Sequence, residues 1–271
     1  MAVNYREGYI DIDGSSLYYE EVGAGNPVVL LHAFSLDRRM WDAQWEFLRS
    51  GYRVLRYDLR GFGKSAPPTT KPYTHADDLF ALLDHLDLEC VDLIGLSLGG
   101  GAAINAAILC PDRVRALIVV DPSLGGFRWS SEFTAAQAAI RATAKGAGIE
   151  GARAQWLSLP IFRAAMSNPR VAEQLVSIVG DYAGWHWLHA DPGRPFSPPA
   201  IDRLQEISRP TLVIVGELDT ADFQSIASTL ESGISRAQKI VFPGVGHMAN
   251  LEAQAQFNET VGAFLAEVGG A

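Results

Sequence analysis

VDLIGLSLGGGAAINAA, residues 91–107, changes character at its midpoint. Val91–Ile94 is apolar in the manner of a buried strand, whereas everything after Gly99 is rich in alanine and reads as a helix. Between them stands Gly95-Leu96-Ser97-Leu98-Gly99, a G-x-S-x-G pentapeptide. Such a pentapeptide arises by chance about 0.16 times in a chain of this composition, so alone it says little. Its setting says more. A turn that passes from strand to helix within these few residues forces the serine into a strained backbone conformation, and glycines on either side let the two elements approach. The hydroxyl then stands at the carboxyl edge of a sheet, beside the free N–H groups of a helix N-terminus.

Outward from this turn the chain alternates strand and helix. Upstream, YIDIDG and SLYYEEVG form a hairpin about a Gly-Ser turn, PVVLLHAF and YRVLRYDL read as strands, and residues 40–49 have helical spacing. Leu79, Leu82, Leu83 and Leu86 repeat at three and four within HADDLFALLDHLDL, predicting a helix over 75–88. Downstream, VRALIVVDPS is a strand, and the rhythm resumes only with RPTLVIVGELD, a helix, AQKIVFPG and a closing helix. The expected fold class is α/β, with a mostly parallel central sheet, an N-terminal antiparallel hairpin and helices on both faces. Residues 123–207 lack strand-like runs and are rich in alanine and aromatics. They are expected to form an all-helical lid, or cap, inserted into a core made of 1–122 and 208–271.

The 271 residues are 48% hydrophobic and 20% charged, with a formal net charge of −9. No basic run could follow a phosphate backbone, so nucleic acid is not an expected partner. No apolar stretch approaches a membrane span, and the first fourteen residues lack the pattern of a secretory signal, so a cytoplasmic protein without membrane association is expected. Cys90 and Cys110 make neither a disulfide framework nor a metal set. His186 and His189 have no acidic or cysteine partner that would make a metal site. The sequence sets no oligomeric state.

A serine hydroxyl needs a base, and the base needs an orienting group. Of the six histidines only His247, in the glycine-lined turn VGHMAN, follows a late strand. The orienting carboxylate should lie between Ser97 and His247 at another strand end. Asp219 in VGELD is preferred because Gly216 ends that strand, with Glu217 and Asp222 as alternatives. Two amides should receive an oxyanion, those of Leu98, directly after the serine, and of Phe34, in the loop His32-Ala33-Phe34-Ser35. His32 reads first as a structural ring hydrogen-bonded to neighbouring loops, with a place in the pocket wall as its other role. Asp121, at the end of LIVVD, either caps its turn or serves as an auxiliary acid near His247.

The stretches HAFSLDRRMW, YDLRGFGKS, GLSLGG, VGELD and GVGHMANLE together resemble the α/β-hydrolase superfamily, specifically its small, lid-bearing, epoxide-hydrolase-like members. Among these the chain looks most similar to 3-oxoadipate enol-lactonases and related carboxylesterases. Ala33 stands where that family usually has glycine, and Thr220-Ala221-Asp222 replaces a more usual proline-containing turn. A serine at position 97 argues against dehalogenase or epoxide hydrolase chemistry, whose members of this fold carry aspartate there. The resemblance implies a Ser97–His247–Asp219 triad acting on a small, partly apolar ester or lactone, with no metal or organic cofactor. A carbon–carbon bond hydrolase, a cofactor-free haloperoxidase or perhydrolase, and a non-enzymatic signal receptor are the alternatives on the same fold. His32, Phe127, Trp129, Trp156, Trp185 and Trp187 are the expected pocket residues.

Overall fold

The computed structural model describes residues 4–270. Eight strands form one sheet: β1 (Tyr5–Ile12), β2 (Ser15–Gly23), β3 (Pro27–Leu31), β4 (Arg53–Tyr57), β5 (Val91–Leu96), β6 (Val114–Val120), β7 (Thr211–Gly216) and β8 (Ala237–Phe242). Their spatial order is β1-β2-β4-β3-β5-β6-β7-β8. The pairs β1–β2 and β2–β4 are antiparallel, and the remaining pairs are parallel. This is the mostly parallel sheet with an antiparallel N-terminal pair that the sequence predicts. The central strands are buried on both faces, which explains their unbroken apolar runs: every residue of β5 and β7 is buried. The hairpin turns on Asp13 and Gly14, both at positive φ, so Ser15 already belongs to β2.

Helices cover the sheet: α1 (Asp42–Leu48), α2 (His75–His85) and α3 (Leu98–Leu109) before β6, and α9 (Ala221–Gly233), α10 (Ala249–Glu252) and α11 (Gln254–Gly269) after β7. The helix expected over 40–49 begins as a 3₁₀ turn at Arg38–Trp41, where the Asp37 side chain accepts from Arg39 N. The helix expected over 75–88 stops at His85, because Asp87 reverses the chain at φ +52.

Between β6 and β7 the chain makes α4 (Ser131–Gly146), α5 (Ile149–Leu157), α6 (Arg163–Ser167), α7 (Pro169–Asp181) and α8 (Trp185–Leu188). The β-type pairing found there is one isolated bridge, Gly193 to Tyr73. The two motifs HAFSLDRRMW and YDLRGFGKS meet in one ionic cluster, buried apart from the exposed Asp42 at its rim. Arg38 pairs with Glu20 and Asp58, and Arg56 pairs with Glu20 and Asp42. Asp58 also accepts from the Arg38 and Lys64 amides, which fixes the loops after β3 and β4 against each other.

Candidate active site

The site begins at the β5–α3 turn. Ser97 sits at φ +53, ψ −112, outside the regions open to ordinary L-residues, at a cost of about 1–3 kcal/mol. Two glycines permit this turn. A Cβ at Gly95 would lie 2.4 Å from Gly99 O, and one at Gly99 would lie 2.2 Å from Leu31 O. The serine amide donates to Val120 O and its carbonyl accepts from Gly101 and Ser123, so the backbone is held on both sides.

Asp219 and His247 come from the loops after β7 and β8. Their side chains are almost wholly buried, and His247 Nδ1 lies 2.7 Å from Asp219 Oδ2. Facing a carboxylate, Nδ1 carries the hydrogen, which leaves Nε2 with a lone pair. Asp219 Oδ1 accepts from Thr220 N at 2.7 Å, and Phe223 packs on the imidazole with ring centroids 4.3 Å apart. The alternative carboxylates are engaged elsewhere. Glu217 accepts from Gly244 N, and Asp222 accepts from Ser130, whose side chain caps α4.

Ser97 and His247 line one cavity of about 240 Å³. Phe34 and Leu98 line it too, and among the described residues neither amide donates to a protein acceptor. The cavity walls include Trp129 and Trp156 from the helical excursion. Trp156 also ties that excursion to the β3 loop: its Nε1 donates to Ser35 Oγ at 2.6 Å in a buried contact. Ser35 itself holds a positive φ of 64°.

Four expected pocket residues are not walls of this cavity. His32 is fully buried, with Nδ1 donating to Ala33 O and Nε2 accepting from Leu59 N, so it joins two loops; burial lowers its pKa. Phe127 packs edge-on behind Trp129 at 5.4 Å. Trp187 is buried behind Trp156 and Tyr182, and Trp185 stacks on His189. Aromatic content alone does not distinguish a first layer from a second.

The walls also include residues that the sequence reading passed over, among them Phe133, Gln137 and Arg141. These three recur every fourth residue along α4, so their helical spacing places them on one face and would have found them. Arg141 is the one Lys or Arg in the lining.

The fold and this geometry can be set beside known proteins. A family model described as alpha/beta hydrolase fold matches residues 26–254. A 2-hydroxy-6-oxononadienedioate/2-hydroxy-6-oxononatrienedioate hydrolase of Paraburkholderia xenovorans is 30% identical over 285 residues, covering 97% of this chain and 94% of that protein. A thermophilic esterase from Thermogutta terrifontis, solved with malate bound, superposes with a TM-score of 0.84 at 29% identity, over 97% of this chain and 99% of that one. The enol-lactonase from Burkholderia xenovorans shares the fold, with a TM-score of 0.81 at 24% identity over 96% and 100% of the two chains. A match over most of the sequence, on a sheet of this order, means that the chain belongs to the α/β-hydrolase family.

Proposed function

We propose that this protein is a serine hydrolase that cleaves a small, partly apolar carboxylic ester or lactone through an acyl-enzyme. One observation carries the reading: a serine held at positive φ on a strand-to-helix turn shares a cavity with a histidine whose far nitrogen is anchored by a buried carboxylate. Ser97 Oγ attacks the carbonyl carbon and its proton passes to His247 Nε2, while Asp219 orients the ring and stabilises the imidazolium. The free amides of Phe34 and Leu98 receive the oxyanion. Collapse expels the alcohol, which takes the proton from Nε2. Water then repeats the sequence on the acyl-enzyme and frees the acid. Residues 123–207 act as the lid, supplying Trp129 and Trp156 to the acyl pocket.

Size supports a small acyl group. The cavity, about 240 Å³, is smaller than the roughly 300–1,000 Å³ of pockets that take drug-sized ligands. A series of p-nitrophenyl esters should therefore peak at short acyl chains and fall steeply with length, and simple lactones belong in the same panel. A serine-directed organophosphonate should add its mass to Ser97, and Ser97→Ala should lose activity by about 10³-fold or more. Protein that hydrolyses no panel member and takes no label at Ser97 sinks the acyl-transfer reading. The hydrolase of oxo-dienedioates and oxo-trienedioates among the relatives favours one second reading, a hydrolase of such a diacid with the same three residues. Including such a diacid in the panel decides between them.

A further inference from the structure

A third buried side chain meets the Asp219–His247 pair. Asp121 follows β6 and is wholly buried at φ +41. Its amide donates to Ile214 O, and its Oδ1 accepts from Gly216 N at 3.0 Å, so the carboxyl group is fastened across the end of β7. Its other oxygen, Oδ2, is buried without a hydrogen-bond partner. A lone carboxylate oxygen in that position is costly. One ligand atom each from Asp121, Asp219 and His247 lies within 4.8 Å of the others. The groups facing Asp121 are thus Asp219 from the loop after β7, His247 from the loop after β8, and Glu252 of α10.

We propose that Asp121 is a positioning residue whose carboxyl is protonated in the working protein and donates its hydrogen to Asp219, so that the site holds one negative charge beside the imidazole instead of two. The inference rests on the triad reading given above. Two carboxylates this close and this deeply buried do not both ionise. A hydrogen on Asp121 Oδ2 removes the repulsion and gives the orphaned oxygen a bond. The proton belongs on Asp121 because Asp219 already accepts from His247 Nδ1 and Thr220 N, whereas Asp121 accepts only from Gly216 N. Burial, and then the Asp219 charge, push the Asp121 carboxyl well above the ordinary carboxylate range. Asp121 does not line the cavity, so it acts through Asp219, holding that carboxylate toward His247.

The test compares kcat/KM–pH profiles on a neutral p-nitrophenyl ester for wild type, Asp121→Asn and Asp121→Leu. Asparagine keeps a neutral N–H donor of the same shape. It should stay within about threefold of wild type with the acid limb unmoved. Leucine removes the donor and should lower kcat about tenfold or more with KM little changed. An acid limb that drops by a pH unit or more in Asp121→Asn would show that wild-type Asp121 carries a charge, overturning the inference. Wild-type kcat in a folded Asp121→Leu protein would do the same. Infrared spectroscopy of the wild-type protein at pD 7 keeps the question open to test if the leucine variant does not fold. A buried carboxylic-acid C=O band is expected, and its absence overturns the protonated state. Retained turnover in Ser97→Ala is the separate outcome that removes the triad reading itself.

Discussion

Ser97 is where conformational strain and proposed chemistry coincide. Its φ of +53 costs stability that glycine would not lose, so Ser97→Gly and Ser97→Ala should separate two effects that a single variant confounds. Both should be inactive, but Ser97→Gly should be more stable than Ser97→Ala by about 1 kcal/mol in denaturant unfolding. Equal stability would mean that the turn stores no strain. At the same scale, the choice among Asp219, Glu217 and Asp222 rests on what each carboxylate accepts, and only Asp219 reaches the histidine. Asp219→Asn should cut kcat by about 10³-fold or more while Glu217→Gln leaves it near wild type, read on the same ester.

At the scale of elements, the β5–α3 turn depends on backbone meeting backbone. The Gly99 Cβ position lies 2.2 Å from Leu31 O, a carbonyl inside the sheet that cannot rotate away as a side-chain tip can. Gly99→Ala should cost about 3 kcal/mol or more, seen as a melting-temperature loss of roughly 5–10 °C. The contact between the helical excursion and the core is more local. Trp156 Nε1 donates to Ser35 Oγ one residue past Phe34, and Phe34 packs edge-on to Trp156 at 5.4 Å. Trp156→Phe keeps most of the ring area but removes the donor. It should cost about 1–3 kcal/mol and lower kcat through the loop that carries the proposed oxyanion amide. Unfolding curves and turnover on a short-chain ester read the two effects separately.

Across the whole molecule, the excursion meets the loop after β4 at His186, and two partly buried histidines, His186 and His75, set a pH dependence. His186 stacks on Phe62 at 4.3 Å and its Nδ1 lies 3.0 Å from Tyr182 Oη. Burial holds the pKa of His186, and of His75, down to about 4. The unfolded chain binds these protons near pH 6.5, before the folded one does, so the stability they contribute is full above about 6.5. It is lost as pH falls toward 4. Melting temperature should decline across that window, and His186→Gln should flatten part of the decline. Asp121 works in the opposite sense: a carboxyl raised by folding costs stability as pH rises from about 3.9 through its folded value. The margin of Asp121→Asn over wild type should therefore grow toward alkaline pH.

Sequence by itself determined the sheet, because strands buried on both faces must be continuously apolar and their helices must repeat at three and four. It also marked Ser97 as a turn residue, since only glycine at 95 and 99 lets helix and strand meet so closely. Tertiary structure alone decided which aromatic side chains reach the cavity. Trp129 and Trp156 do, whereas Phe127 and Trp187 pack against them from outside the lining and Trp185 stacks on His189, and aromatic content does not separate the two groups. It also decided that His32 ties two loops, and that Asp121 shares its surroundings with Asp219 and His247. Those outcomes depend on distances between residues from about thirty to well over a hundred positions apart in the chain, which no local pattern encodes. They arise only when the parallel strands carry their carboxyl ends to one edge.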